Sequence, residues 1–270
     1  MTSTIELKGL LGIFSRWGVL RLLEFEVGSV SELIEALERD HKAYDGAIWF
    51  RGQACNHWAL APGYLRLKKP PSESTLLKRF KQSAAMLIDR DPKDSFDWLF
   101  LMQHYGLPTR LLDWSESPLV ALYFALEESE RYPGEDAALW CLRPSELNKK
   151  ANIQDDNEEF FIPSFDDEEL KNYSIEILAS GPKRTRLLPI ATIATRNNSR
   201  IQAQLGVFTI HHLDEVAIDQ IGDGSHVVKY NIPESSRAHI LDQLRLLGFS
   251  KFTMFPELAS IGENIKRGLS

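Results

Sequence analysis

The spacing of hydrophobic residues in this 270-residue chain switches between helical and strand-like patterns, which predicts a fold that contains both elements. Ser29, with Glu32 three residues later, is typical of a capping box and predicts a helix through about residue 39. Asp94 is a second N-cap, and Ser117 is a third, followed by a proline at the first helical position. We expect helices that begin near residues 30, 74, 95, 118, 235 and 256.

Short apolar runs bounded by turn residues predict the strands. These runs lie at residues 47–51, 137–142, 188–195, 205–211 and 226–232. Because strands occur in both the first and the last third of the chain, we expect one α+β domain whose sheet is assembled from both ends. The three prolines in residues 53–72 predict a loop there.

The ends and the middle of the chain differ in character from the rest. Residues 1–28 show no clear period and are assigned to an N-terminal segment, so that the domain covers residues 29–265. Residues 150–172 are rich in acidic side chains and predict an insert or a mobile flap. The simpler alternative is a solvated acidic face.

Composition excludes several classes of protein. Hydrophobic residues make up 43% of the chain and charged residues 26%, an ordinary balance for a globular core. The net charge of -7 argues against a broad surface for duplex nucleic acid. Cys55 and Cys141 are interpreted as buried thiols in a reducing compartment. No run approaches the roughly 20 apolar residues of a membrane helix, and we expect a cytoplasmic protein with no membrane partner.

Familiar catalytic motifs are missing from the sequence. It contains no phosphate-binding Gly-x-x-x-x-Gly-Lys-Ser/Thr loop, no Gly-x-Gly-x-x-Gly run and no Gly-x-Ser-x-Gly elbow. His211 and His212 lie next to each other on a predicted strand and should therefore point to opposite faces. We expect them to be exposed or capping residues and predict no metal site.

Arg51 ends an apolar strand and precedes Gly52, where a charge is costly unless it has a partner. One interpretation is an internal salt bridge, for instance with Asp113. The other is that Arg51 projects into a cleft and binds an anion, while Gly52 allows a ligand or another backbone to approach closely. The residues alone favour neither.

The segment 103–115 concentrates hydrogen-bonding groups between two predicted helices. Gly106 permits a left-handed turn and Pro108 prevents a helix, so the segment is expected to be irregular. Such loops often carry function. The alternative is a buried hydrogen-bond network that braces the fold, with Arg110 and Asp113 paired internally.

These motifs resemble the FRG domain family, named after a Phe-Arg-Gly motif. Residues 49–53 read Trp-Phe-Arg-Gly-Gln, and residues 103–115 with 118–125 are similar to the longest signature of the family. Residues 200–208 and 255–258 resemble later blocks, so the resemblance covers about residues 29–265.

The layout of FRG domains is in turn similar to the ADP-ribosyltransferase fold. That likeness implies a mixed, mostly antiparallel split sheet flanked by helices, and NAD or a similar nucleotide as the ligand. It implies Arg51 as an anion clamp and Asp113, Ser115 and Glu116 as catalytic candidates. The cofactor-binding residues it implies are Arg51, Gly52, Gln53, Gln103, His104, Tyr105, Thr109, Arg110, Trp114, Tyr123 and Gln204.

One departure leaves three hypotheses open. Most ADP-ribosyltransferases carry a catalytic glutamate on a late strand, whereas residues 200–208 contain no acidic residue. The protein is then a transferase that uses another carboxylate to modify a macromolecule, either a protein or a nucleic acid end, in phage defence or a toxin-like system. It is otherwise a non-catalytic module that senses a nucleotide or a protein partner. In the third hypothesis the motifs are structural and the function lies on residues 150–172. The sequence does not determine the oligomeric state.

Overall fold

The computed structural model describes residues 23–88, 92–180, 186–194, 199–213, 216–257 and 260–261. Within them, seven strands form one sheet in the order β1-β7-β4-β2-β3-β6-β5. The β1–β7 pair is parallel and the other pairs are antiparallel, which confirms the predicted α+β class and the mixed, mostly antiparallel sheet. The strands are β1 (Leu23–Glu26), β2 (Trp49–Gln53), β3 (Leu111–Ser115), β4 (Ala137–Leu142), β5 (Ile190–Thr192), β6 (Gly206–Ile210) and β7 (Val227–Ile232).

Helices flank this sheet. In the described chain they are α1 (Val30–His41), α2 (Glu73–Ala84), α3 (Ser95–His104), α4 (Pro118–Leu126), α5 (Pro144–Lys150), α6 (Ile175–Ser180), α7 (Ser199–Ala203), α8 (Arg237–Leu246) and α9 (Lys251–Met254). The helix predicted from residue 256 falls largely on residues 258–259 and 262–270, which lie outside the described chain.

Side-chain caps begin the helices where the sequence predicts them. Ser29 Oγ accepts a hydrogen bond from the Glu32 amide at 3.1 Å, and Asp94 Oδ1 accepts from the Phe96 amide at 2.8 Å. The Glu32 carboxylate accepts from the Gly28 amide at 2.7 Å, so it bonds the residue before the N-cap and does not close a capping box. Each cap satisfies an amide that the helix itself cannot use.

The structure corrects the prediction that residues 103–115 are irregular, because residues 111–115 form strand β3. β3 is a central strand, and all five of its residues pair with β6. The polar Asp113 interrupts its apolar pattern, because that residue is exposed while its neighbours Leu112 and Trp114 are buried. A strand with one side chain in a polar cleft cannot show simple hydrophobic alternation.

The sheet also begins earlier than the predicted domain. β1 lies within the segment 1–28 and pairs along its length with β7, so the sheet includes residues before residue 29. At the other edge, the strand predicted at 188–195 is reduced to β5, the three residues 190–192.

The acid-rich segment 150–172 packs against the body of the fold. Leu170 and the adjoining Tyr173 are buried, and Phe165 contacts Phe96 with 4.7 Å between the ring centroids. Most of its acidic side chains face solvent, as the simpler alternative predicts. The segment thus packs against the rest of the fold, and its assignment as an insert or a flap stays a prediction.

Arg110 connects Tyr173, next to this segment, to the start of β3. The residue is 1% exposed, and its guanidinium donates to the Glu73 carboxylate at 2.7 Å and to the carbonyls of Tyr173 and His211. The expected Arg110–Asp113 pair is therefore wrong, because Glu73 of α2 supplies the counter-charge. Arg110 is sealed in the interior and braces the fold.

Gly52 allows helix α4 to pack directly on strand β2. A Cβ atom at this position would lie 2.0 Å from the Ala121 carbonyl oxygen and 2.5 Å from the Ala125 amide nitrogen. Real Cβ atoms do not approach backbone atoms so closely. Of the two possibilities raised by the sequence, the glycine thus admits another backbone.

We expect Gly52→Ala to lower the free energy of unfolding by about 3 kcal/mol, because the added methyl group must push helix and strand apart. Denaturant titration followed by circular dichroism measures this change. Gly63→Ala is the matched control, since its Cβ would meet Pro108 at an ordinary 3.4 Å and its φ of -55° suits alanine. Equal stability of the two variants would contradict the packing argument.

We expect Glu73→Gln to destabilise the protein by about 3 kcal/mol, because it leaves the Arg110 guanidinium buried without a counter-charge. Glu168→Gln removes a carboxylate from the exposed pair with Lys171 and should cause no resolvable change. Urea denaturation of both variants tests this, and a silent Glu73→Gln would show that Arg110 does not depend on the pair.

The prediction for His211 and His212 is also wrong, because both residues are buried where exposed or capping positions were expected. Burial, followed by the charge of Arg110, lowers the pKa of His211 to about 3. In the unfolded chain a histidine titrates near 6.5. Between these values the unfolded state binds a proton that the folded state does not, so stability is lost as the pH falls from about 6.5 towards 3.

We expect His211→Leu to reduce the slope of unfolding free energy against pH in this window by up to about 1.4 kcal/mol per pH unit. Denaturant titrations at pH 4, 5, 6 and 7 measure the slope. His239→Gln, at an exposed position, is the control and should leave it unchanged. A wild-type slope in His211→Leu would contradict the assignment.

Candidate functional site

The sheet opens between strands β2 and β3. All five residues of β2 pair with β4, but only Phe50 pairs with β3, opposite Ser115. Beyond this pair the two strands diverge, and both contribute walls to a cavity of about 400 Å³. The strand ends therefore frame an open space where a continuous sheet would have none.

Most of the predicted site residues lie around this cavity. Those that line it are Arg51, Gly52, Gln53, Gln103, His104, Asp113, Trp114, Ser115 and Gln204. Five other predicted residues, all within the described chain, lie outside the lining: Tyr105, Thr109, Arg110, Glu116 and Tyr123. The structure thus brings together residues from β2, α3, β3 and the turn after α7.

Arg51 reaches across the opening towards β3. Its Nη1 donates to the main-chain carbonyl of Asp113 at 2.6 Å. Arg51 thus contacts the main-chain carbonyl of Asp113 between the two strands. Among the described residues, no ion pair within 4 Å joins Arg51 to the Asp113 carboxylate. Arg51 Nε is buried and makes no hydrogen bond there. One donor is therefore left unused beside the cavity.

Two nearby charged groups act on the Arg51 guanidinium in opposite directions. Burial lowers the pKa of Arg51, the Asp113 carboxylate opposes this, and the nearby Arg66 guanidinium lowers the pKa further. Arginine stays protonated in proteins at neutral pH. Two like charges, Arg51 and Arg66, thus line the same cavity, and a bound anion would relieve their repulsion.

Asp113 is oriented by a chain of hydrogen bonds. Its Oδ2 accepts from Gln103 Nε2 at 2.8 Å, and Gln103 Oε1 accepts from the Thr109 hydroxyl. Thr109 Oγ1 in turn accepts from the Leu111 amide at 3.1 Å. Thr109 therefore supports Gln103 from behind, and Gln103 holds the carboxylate at the cavity wall.

Ser115 and Gln204 fasten strand β3 to its neighbours. Ser115 Oγ donates to the Gln204 carbonyl at 2.7 Å and accepts from the Ser117 amide at 3.0 Å. Gln204 Nε2 donates to the Met254 carbonyl at 3.0 Å. The only proton of the Ser115 hydroxyl is thus already engaged, which gives this residue a bracing role in the structure as it stands.

Gln53 and Trp114 form rigid parts of the wall. Gln53 Oε1 accepts from Trp140 Nε1 at 2.8 Å, and Trp114 Nε1 donates to Thr209 Oγ1 at 3.0 Å. Both side chains are buried. The Trp114 ring packs in a core cluster with Trp49 and Trp140.

Three of the predicted residues outside the cavity lie on the surface or in the core. Tyr105 is 65% exposed on the surface, where its ring meets the edge of the His104 ring. Tyr123 is buried in the core between α4 and the sheet. Glu116 is exposed after the end of β3.

Four charged residues of the cavity were not among the predicted site residues: Arg66, Glu127, Glu128 and Arg200. Arg66 and Arg200 occur in the family motifs, but nothing in the sequence indicates which way they face. Glu127 follows the face of α4 that carries Val120 and Phe124, spaced by four and three residues. That spacing is the signal that could have found it.

The end of the cavity near Arg200 also affects His104. Burial lowers the pKa of His104, the Arg200 charge lowers it further, and Glu257 opposes both. Arg200 lies over the Phe255 ring, 4.6 Å from its centroid. This end therefore combines a cation, an imidazole that favours its neutral form and an aromatic ring.

Two further kinds of feature are missing from the described chain. It contains no group of three or more His, Cys, Asp or Glu side chains that could hold a metal ion. None of its helices is long and apolar enough to cross a bilayer.

Comparison with known proteins assigns part of the chain to a family. Residues 46–134 match the family model described as FRG domain. No curated protein and no solved structure matches the chain. The matched residues include β2, β3 and α4, which supply Arg51, Asp113 and the helical wall of the cavity. The chain therefore carries a match to the FRG domain over residues 46–134, and this segment supplies most of the residues that line the cavity.

Proposed function

We propose that the cavity binds a phosphate-bearing, nucleotide-like ligand, with NAD as the first candidate. The observation that carries this proposal is the position of Arg51. Its guanidinium sits in the opening of the sheet, contacts a carbonyl and no carboxylate, and keeps Nε without a partner among the described residues. A partly buried guanidinium with an unused donor and no ion pair can bind an anionic group of a ligand.

The neighbourhood of Arg51 suits a phosphate. Arg66 lines the same cavity and is close enough to lower the pKa of Arg51. Guanidinium groups bind phosphate oxygens through paired, planar hydrogen bonds. The net charge of -7 provides no general attraction for anions, so recognition must come from this local pair.

The rest of the cavity suits the organic part of a nucleotide. Phe124 and Phe255 meet edge to face at 5.7 Å, and Arg200 covers the Phe255 ring. Trp58 adds another ring to the lining. Aromatic faces of this kind stack on planar bases, and a volume of about 400 Å³ falls in the range of small-molecule sites.

The proposal extends to ADP-ribosyl transfer onto a macromolecule. Breaking the bond between ribose and nicotinamide develops positive charge on the sugar, which a carboxylate in the cavity would stabilise. Of the predicted carboxylates, Asp113 lines the cavity and Glu116 does not. Asp113 is therefore the better catalytic candidate of the two. A cytoplasmic location and a role in phage defence or a toxin-like system belong to the same proposal.

A second candidate function is ligand sensing without turnover. Strand β6 overlaps the region in which the likeness to ADP-ribosyltransferases places a catalytic glutamate. It reads Gly-Val-Phe-Thr-Ile and carries no acidic residue. The Asp113 carboxylate is already engaged by Gln103. Both observations favour binding over catalysis, and a transfer assay separates the two functions.

The central experiment is isothermal titration of the full chain with NAD, ADP-ribose and ADP. We expect Arg51→Ala to weaken binding about 10- to 100-fold, as expected for the loss of hydrogen bonds to a charged group. Arg51→Lys should recover part of the affinity, because it keeps the charge and loses the planar fork. Arg245→Ala, at an exposed ion pair with Asp242, is the matched control.

Ligand binding and label transfer distinguish the two functions, and circular dichroism checks that the variant is folded. If the wild type binds none of the three ligands at millimolar concentration, the proposal is wrong. Circular dichroism must show that Arg51→Ala is folded, and Arg51→Lys serves as the test variant if it is not. Transfer of labelled NAD to lysate components identifies a transferase, whereas binding without transfer identifies a sensing module.

A further inference from the structure

Two carboxyl groups other than the predicted ones line the cavity, Glu127 and Glu128, and the Glu128 carboxylate forms an exposed ion pair with Arg131 at 2.7 Å. Glu127 follows the last residue of α4 and is only partly exposed, and its side chain belongs to the cavity lining. By contrast, Glu116 lies outside the lining. The predicted site therefore does not account for the Glu127 carboxyl at the cavity wall.

Helix α4 determines where this carboxyl lies relative to Arg51. The backbone of Gly52 packs against Ala121 and Ala125, so Arg51 is beside the middle of the helix. The helix face that lines the cavity continues from Ala121 through Phe124 to Glu127. Six residues of helix correspond to about 9 Å along the axis. The cavity therefore offers a guanidinium at one place and a carboxyl roughly two helical turns further along.

The local structure does not favour a carboxylate at this position. Glu127 caps the C-terminal end of α4, where the helix presents partial negative charge, and no basic residue lies in the last turn. Burial raises the pKa of Glu127, while a hydrogen bond from Tyr123 and the charges of Lys251 and Arg200 oppose that shift. Tyr123, Lys251 and Arg200 thus hold a carboxyl group at the cavity wall in a position that burial and the helix dipole disfavour.

The groups around Glu127 indicate what it would bind. Phe124, one turn before it, and Phe255 form the aromatic wall of the cavity. A ligand base on this wall would place its sugar next to the carboxyl. Carboxylate oxygens have several acceptor sites, of which Tyr123 occupies one, and a ribose offers neighbouring hydroxyl donors. Acidic side chains bind ribose hydroxyls in this way in dinucleotide-binding proteins.

We propose that Glu127 accepts hydrogen bonds from the ribose hydroxyls of the bound ligand and makes the cavity prefer ribonucleotides to their deoxy counterparts. This inference rests on the proposed function, because it assumes a nucleotide-like ligand whose phosphate lies at Arg51. Arg51 then sets the affinity for the phosphate, and Glu127 sets the choice of sugar.

The test compares three probes by isothermal titration with the full chain: ADP, 2′,3′-dideoxy-ADP and pyrophosphate. For the wild type we expect tighter binding of ADP than of the dideoxy analogue. Glu127→Gln should weaken ADP binding about 10-fold, as expected for hydrogen bonds to a charged acceptor. It should leave the other two dissociation constants within about twofold, since neither probe presents the hydroxyl pair.

Glu130→Gln, at an exposed position outside this cavity, is the matched control and should bind all three probes as the wild type does. Tyr123→Phe keeps the Glu127 carboxyl and should retain the preference for ADP. Should Glu127→Gln bind ADP like the wild type, or change the affinities for ADP and its dideoxy analogue equally, the inference is wrong while the proposed function stands. If the wild type binds no nucleotide, the proposed function fails first, as the Arg51 experiment reports independently.

Discussion

The single pairing between Phe50 and Ser115 is the constraint on which the cavity depends. Strand β2 must follow β4 along its whole length, and β3 must follow β6, so the two halves of the sheet separate once this pair is passed. The Asp113 carbonyl at the separation takes its hydrogen bond from the Arg51 side chain. The donor to this carbonyl is therefore a charged group that also borders open space.

Two arginines show how the same side chain serves different purposes in this fold. Arg110 is enclosed by Glu73 and two carbonyls, and all of its contacts hold segments of the chain together. Arg51 has one carbonyl partner, a second guanidinium nearby and a cavity beside it. In the first arrangement a carboxylate pairs with the guanidinium, whereas Arg51 has the Asp113 carboxylate nearby but forms no ion pair among the described residues. This difference separates Arg110 of the segment 103–115, which braces the fold, from Arg51 of residues 49–53, which we propose as the anion-binding group.

Helix α4 links the packing of the fold to the chemistry of the cavity. Its approach to β2 requires a residue without a Cβ atom at position 52. The same helix face then runs along the cavity and ends at Glu127. The glycine of the Phe-Arg-Gly motif therefore acts at the helix, and the arginine before it acts at the opening of the sheet.

The sequence by itself determined the local features of this protein. Ser29, Asp94 and Ser117 cap their helices because a cap needs only residues a few positions apart. The α+β class and most strands followed from hydrophobic spacing, and the family motifs named Arg51 and the segment 103–115 in advance. Only the tertiary structure decided that β3 is a strand, that Arg110 pairs with Glu73, and that Glu127 borders the cavity. These depend on partners that lie far apart in the chain, such as Arg51 and Asp113 at a separation of 62 residues, and no local pattern records which of them meet.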